Sequence, residues 1–110
     1  MAFDEELAVR VRTLLEQHPG VTEKAMFGGL AFLVDGAMAV SVSGQGGLLL
    51  RVDPSTTDVV VREAGVTRFE MRGRQLDGWV HVAPSAISSD EQLEHWVTIG
   101  VARAEALPPK

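Results

Sequence analysis

The chain has 110 residues, 45% of them hydrophobic and 23% charged, and its formal net charge is −5. These values are typical of one globular domain, spanning residues 1–110, and the absence of cysteine excludes disulfides, thiolate catalysis and cysteine-rich zinc sites. The acidic charge disfavours strong non-specific binding to nucleic acid, which depends on neutralised phosphates. The acidic N-terminus is unlike a signal peptide, and no apolar run approaches the ~20 residues of a membrane span, so we expect a cytoplasmic protein.

Residues 4–17 are predicted to form an amphipathic helix. Apolar residues recur there at helical spacing, and they are Phe3, Leu7, Val11, Leu14 and Leu15. The acidic residues 4–6 lie in the first turn, where the helix dipole favours anions. Pro19 cannot continue a helix, so we expect the helix to end before it.

An antiparallel meander is predicted next, with strands at about 22–27, 30–34, 37–43 and 48–52. Asp35-Gly36 is a strong signal for a two-residue hairpin, because a type I′ turn needs positive φ at both positions. Gly28-Gly29 marks an earlier turn or bulge. We therefore predict a positive φ at Gly28, at Gly36 or at both. In the third strand, simple alternation would place Met38 with Val40 on one face and Ala37 with Ala39 on the other.

The second half of the chain contains two further strands between two helices. Asp53 and Pro54 are a suitable N-cap and first residue for a short helix over 54–63. Strands follow near Phe69–Met71 and Trp79–Val82. The last helix is predicted over 89–106, with a capping box formed by Ser88 and Glu91 or by Ser89 and Gln92. Its residues Leu93 and Trp96 should pack with Leu7, Val11 and Leu14 or with the sheet.

A cluster of cationic side chains beside an indole is the candidate binding site. It consists of Arg51, Arg68, Arg72, Arg74 and Trp79. Guanidinium groups next to an aromatic ring can hold an anion, a carboxylate-bearing peptide or a nucleotide base. The alternative, which we favour, is that these arginines pair with Glu63, Glu70 and Asp77 on a solvated surface.

The sequence contains no pattern that indicates catalysis. His95 lies near acidic residues of the last helix, but a solvated helix face explains them better than a metal site. His81 has the chemistry of a general base, yet no serine or carboxylate is local to it, so a packing role is favoured. The loop 44–47 lacks the Lys and Ser/Thr of a phosphate-binding loop. We expect no enzyme, no cofactor and no metal site.

Several short segments together resemble the TfoX N-terminal domain family. They are Lys24–Gly29 (Lys-Ala-Met-Phe-Gly-Gly), Val34-Asp35-Gly36, Arg51-Val52-Asp53, Met71–Gly78 and Trp96. The resemblance covers nearly the whole chain and implies an α+β fold of two layers. In it a curved antiparallel sheet of five to six strands is packed by an N-terminal and a C-terminal helix, as in secretion-chaperone and YjbR-like domains. We interpret the motif residues as structural, and they are Lys24, Met26, Phe27, Gly28, Gly29, Asp35 and Gly36.

The family resemblance implies no catalytic residues and points to binding. Our leading hypothesis is a non-catalytic cytoplasmic protein-interaction or regulatory domain, similar to short stand-alone TfoX-like proteins. The first alternative is a nucleic-acid-associated factor of transcription or competence that uses Arg68, Arg72 and Arg74. The second is a small-molecule-binding protein or enzyme.

Because the strands at 30–34 and 48–52 are apolar on both faces, we also expect a homodimer that buries roughly 1,200 Å² or more. We expect Arg51, Arg72, Arg74 and Trp79 to lie at or beside its interface.

Overall fold

The computed structural model describes residues 3–26, 28–71 and 73–107. Its helices are α1 (Glu5–Leu15), α2 (Thr57–Val60) and α3 (Asp90–Ala106), and 3-10 turns lie at Pro54–Thr56 and Pro84–Ala86. Its strands are β1 (Val21–Met26), β2 (Gly29–Val34), β3 (Ala37–Val42), β4 (Leu48–Arg51), β5 (Val66–Met71) and β6 (Arg74–Val82). Within these ranges no helix is both long and apolar enough to cross a bilayer.

The six strands form one antiparallel sheet in the order β1-β2-β3-β4-β6-β5. The helices α1 and α3 contact each other, and α3 packs against β3, β4 and β2. This confirms the predicted α+β fold of two layers, with an N-terminal helix, at least five antiparallel strands and a C-terminal helix. The resulting sheet has a covered face, which packs against the helices, and an open face on the other side.

The two predicted tight turns have the expected backbone geometry. Asp35 has φ 50° and Gly36 has φ 86°, the signs that a type I′ hairpin requires. Gly28 has φ 75° in the turn that joins β1 to β2. Both predicted positive φ values are therefore confirmed. Phe27, the other residue of the first turn, lies outside the described residues.

Side-chain caps lie at the N-termini of α1 and α3. Asp4 accepts a hydrogen bond from the Leu7 backbone N–H at 3.1 Å, and α1 stops at Leu15, two residues short of the prediction. Of the two predicted capping boxes for α3, Ser89 with Gln92 is the one that forms. The helix predicted over 54–63 is instead a 3-10 turn at Pro54–Thr56 followed by the four-residue α2. The buried Thr57 hydroxyl donates to the Pro54 carbonyl and accepts from the Gly78 N–H at 2.9 Å. These bonds hold α2 against β6.

The main hydrophobic core lies between the covered face and the helices. As predicted, Trp96 and Leu93 of α3 belong to one buried cluster with Leu7 and Val11 of α1. The inclusion of Leu14 was wrong. That side chain is 37% exposed, whereas Leu15, which follows Leu7 and Val11 at a regular spacing of four residues, is buried.

The predicted alternation of β3 was also wrong, because a β-bulge interrupts the strand. Phe32 is paired with Val40 but Leu33 is paired with Met38, so Ala39 is an extra residue in β3. Ala39 and Val40 consequently both belong to the main core, and Met38 belongs to a second cluster on the open face. Gly100 of α3 packs at this bulge, where an added Cβ would lie 2.5 Å from the Ala39 carbonyl oxygen.

Candidate functional site

A single row of side chains crosses the open face from one edge strand to the other. Paired positions in the strand registers define the row, and its members are Lys24, Ala31, Ser41, Leu49, His81 and Thr67. The three central ones are almost inaccessible, with exposures of 0% for Ala31, 2% for Ser41 and 4% for Leu49. No helix among the described residues covers them, so the larger neighbouring side chains on the same face must shield them.

Those neighbours form a second hydrophobic cluster. Ala31, Met38 and Leu49 are its buried members. Its partly buried members are Met26, Leu33, Phe69 and Trp79. All seven residues belong to strands and none to a described helix. The open face is therefore an apolar surface that the described part of the chain does not cover, and sequence analysis found only its indirect sign, the apolar runs in β2 and β4.

A groove of about 330 Å³ lies on the open face, between the loop 43–47 and β5. Ser41, Leu49 and His81 line it, with Phe69 and Glu70 contributed by β5. The His81 Nε2 lies 2.7 Å from the Gly46 carbonyl oxygen, so this nitrogen carries a proton and donates to the loop. His81 thus fixes the loop that forms one side of the groove, which supports the packing role predicted for it.

Arg51 and Trp79 meet on the open face, as the sequence predicted. They are paired across β4 and β6, and the guanidinium carbon of Arg51 lies 4.9 Å from the centre of the Trp79 ring. This is within the range of a cation–π interaction. Burial lowers the pKa of Arg51, and the positive charge of Arg103 on α3 lowers it further. Both causes disfavour the charged form of Arg51.

The other predicted arginines do not join this pair. Arg68 is paired in register with Val80, a core residue, which places its side chain on the covered side of the sheet, and the residue also borders the groove. Its guanidinium contacts the Asp58 carboxylate and lies 3.6 Å from that of Asp77. This pairing matches the alternative interpretation for Asp77, with Asp58 as an unforeseen partner. Arg74 is exposed at the start of β6, and Arg72 lies outside the described residues.

In the described part of the chain, no histidine is hydrogen-bonded to a serine. Ser41 and His81 share the row but Leu49 of β4 stands between them, which separates the two strands by about 10 Å. His95 contacts the edge of the Trp96 ring and lies 4.0 Å from the Glu63 carboxylate. Among the described residues, no group of three or more His, Asp or Glu side chains could hold a metal ion.

Comparison with known families identifies the family to which the chain belongs. The family model of the TfoX N-terminal domain matches residues 13–104. The chain belongs to the TfoX N-terminal domain family. No curated protein and no solved structure matches it.

Of the motif residues interpreted as structural, the described ones lie in the first two hairpins of this TfoX N-terminal domain. Lys24 and Met26 lie on β1, and Lys24 is paired with Ala31 of the open face. The glycines and Asp35 shape the two turns described above. The family motif thus explains how β1, β2 and β3 are connected, and it places one cation, Lys24, on the open face.

Proposed function

We propose that this TfoX N-terminal domain is a non-catalytic protein-interaction or regulatory domain of the cytoplasm, and that it binds through the open face of its sheet. The observation that supports this most is the apolar cluster of seven side chains on that face. Contiguous apolar patches on a soluble domain mark interaction sites, because covering them removes apolar surface from water at about 25 cal/mol per Å².

The side chains on the open face support binding better than catalysis. A nucleophile needs a base within about 3.2 Å, and Leu49 separates Ser41 from His81. The His81 Nε2–H is engaged with the Gly46 carbonyl. What the face offers instead is apolar area with a few cations at its margin, which suits recognition of another molecule.

We also propose that the chain forms a homodimer, with a sheet edge as the contact. The strands β1 and β5 each have a neighbour on one side only within the described sheet. Free edges offer unpaired backbone groups to another strand. Sedimentation velocity at micromolar concentration should give about twice the 11.8 kDa chain mass. A single species at the mass of the monomer would contradict this part of the proposal.

A nucleic-acid accessory role is the second candidate function. Trp79 with Arg51 could stack on a base, and the exposed Arg74 begins the same strand as Trp79. A salt titration separates this candidate from protein binding, because each neutralised phosphate steepens the dependence on salt. We expect no binding to single-stranded DNA or RNA at physiological salt, and binding with a steep salt slope would favour this second candidate.

The test of the leading proposal is affinity capture from the native cytosol with three baits. The wild-type chain and Val59→Ser, whose apolar side chain is 62% exposed on α2, should retain the same partners. Leu33→Ser or Phe69→Ser removes apolar area from the open face and should lose them. Circular dichroism checks that each variant is folded. Equal capture by all the baits would show that the open face is not the interaction surface.

A further inference from the structure

The open face is cationic in a protein whose net charge is −5. Lys24 is paired with Ala31, and Arg51 with Trp79, so both cations lie on this face. The strands contain three acidic residues, which are Glu23, Glu70 and Asp77. Glu23 binds Arg12 of α1 and Asp77 lies beside Arg68, both on the covered side of the sheet. Of the three strand acids this leaves Glu70, which borders the groove together with the cation Arg68.

Arg51 has no carboxylate partner in the described part of the chain. No Asp or Glu oxygen lies within 4.0 Å of its guanidinium there, in contrast to Arg12 and Arg68. Asp53 is the nearest acid along the chain, and it accepts hydrogen bonds from the Ser55 N–H at 2.9 Å and hydroxyl at 2.7 Å. These bonds also lower the pKa of Asp53. Its carboxylate is therefore used as a cap.

An anion bound at Arg51 would relieve an unfavourable environment. The guanidinium is partly buried against the Trp79 ring, and Arg103 adds positive charge nearby, as the lowered pKa of Arg51 indicates. Arg103 itself has a buried Nε without a hydrogen-bond partner in the described structure. A carboxylate gains more from a partly desolvated guanidinium than from one in open water.

We propose that the open face binds a short acidic segment of a partner protein. A carboxylate of the segment contacts the Arg51 guanidinium beside Trp79, and a neighbouring apolar side chain enters the groove between Leu49 and Phe69. This inference rests on the proposed function and adds the chemistry of the partner. The groove, at about 330 Å³, is at the small end of ligand sites and suits a side chain better than a folded surface.

Two other occupants fit the charges less well. A second copy docked face to face would bring the cations of one open face against those of the other, which is unfavourable in a symmetric contact. Nucleic acid would gain only a few neutralised phosphates from Lys24, Arg51 and Arg74, while the acidic remainder of the domain repels it.

The test uses the full chain as bait for a random-peptide display library, with Arg51→Gln as the variant. Arg62→Gln is the matched control, since it changes the charge equally at an exposed residue after α2. The wild type and the control should enrich peptides that combine Asp or Glu with Leu or an aromatic residue. A labelled peptide from that set should bind Arg51→Gln about tenfold more weakly, or worse, by fluorescence anisotropy. The same peptide with Gln and Asn in place of Glu and Asp should also bind weakly.

The inference is overturned if no peptide is enriched, if the enriched peptides are basic or uncharged, or if Arg51→Gln binds as tightly as the wild type. If the chain instead binds a mixed-sequence single-stranded DNA, and this binding weakens with salt and with Arg51→Gln, the nucleic-acid candidate replaces the acidic segment. If the wild type sediments as a dimer and Arg51→Gln sediments as a monomer, self-association through the open face replaces the acidic segment. If native partners still depend on Leu33 and Phe69, the proposed function stands while the acidic specificity fails.

Discussion

The two faces of the sheet are made from alternate residues of the same strands, yet they have different surroundings. On the covered face, Phe32, Val40 and Leu50 pack against α1 and α3 in the main core. On the open face, Met38, Leu49 and their neighbours pack only against other strand residues. Each face holds one of the two tryptophans, Trp96 of α3 in the main core and Trp79 of β6 in the smaller cluster. The comparison shows that the described helices pack on one face of the sheet, whereas the apolar cluster on the other face consists of strand residues alone.

Replacing each tryptophan in turn tests this comparison of the two faces, and it should give the largest change in stability. Trp96 is 3% exposed, so Trp96→Ala should lower the free energy of unfolding by about 3–5 kcal/mol. Trp79 is only partly buried, so Trp79→Ala should cost about 1–2 kcal/mol, mainly from apolar area and the contact with Arg51. Urea unfolding of both variants measures the difference. Equal losses would show that the open face contributes to stability as much as the covered face.

Gly100 tests how closely the helical layer packs on the covered face. An added Cβ would lie 2.5 Å from the Ala39 carbonyl oxygen and 2.7 Å from the Val40 Cγ1. Gly100→Ala should therefore destabilise the protein by about 1–3 kcal/mol, although alanine is the better helix former. Thr98→Ala, at an exposed position of the same helix, is the control and should change stability by less than about 0.5 kcal/mol. A stabilised Gly100→Ala would mean that α3 can move away from the bulge at little cost.

The hairpin between β2 and β3 tests a feature that both faces share. Gly36 has φ 86°, so Gly36→Ala should cost about 1 kcal/mol through backbone strain alone. Asp35→Asn keeps a residue that tolerates positive φ and should leave the stability near that of the wild type. Thermal unfolding of the two variants measures this. An unchanged midpoint for Gly36→Ala would show that the turn can adopt another geometry.

The smallest expected effect concerns the ion pair that joins α1 to β1 on the covered side. The Arg12 Nε and Nη2 donate to the two Glu23 carboxylate oxygens at 2.7 and 2.8 Å, which lowers the pKa of Glu23. The unfolded chain therefore binds this proton more readily than the folded one. The contribution is present above the ordinary pKa of a glutamate and is lost as the pH falls through the folded-state value.

Glu23→Gln checks this pH dependence. The variant should be slightly less stable than the wild type at neutral pH, and the two stabilities should converge in acid. Unfolding midpoints measured across that pH range give the difference. Because both side chains are partly exposed, the effect should also shrink in high salt. A difference that grows in acid would contradict this account of the pair.

The sequence alone predicted the elements whose signals are local. The Asp35-Gly36 hairpin, the Ser89 cap and the helical stripe of α1 depend on residues within a few positions of one another, and the structure has all three. The order of helix, meander and helix followed from them. Of the candidate site, sequence analysis correctly placed Arg51 next to Trp79, because both were expected on neighbouring strands.

Tertiary structure decided which face each side chain occupies. The bulge at Ala39 moves Met38 to the open face, and the register of β5 with β6 places Arg68 on the covered face near Asp58 and Asp77. Neither is visible in a pattern of alternation, because a shift of one residue in a strand reverses the face of every later side chain without changing the composition. For the same reason, the apolar open face and the lack of an acidic partner for Arg51 among the described residues are properties of the assembled sheet and cannot be found in any single strand.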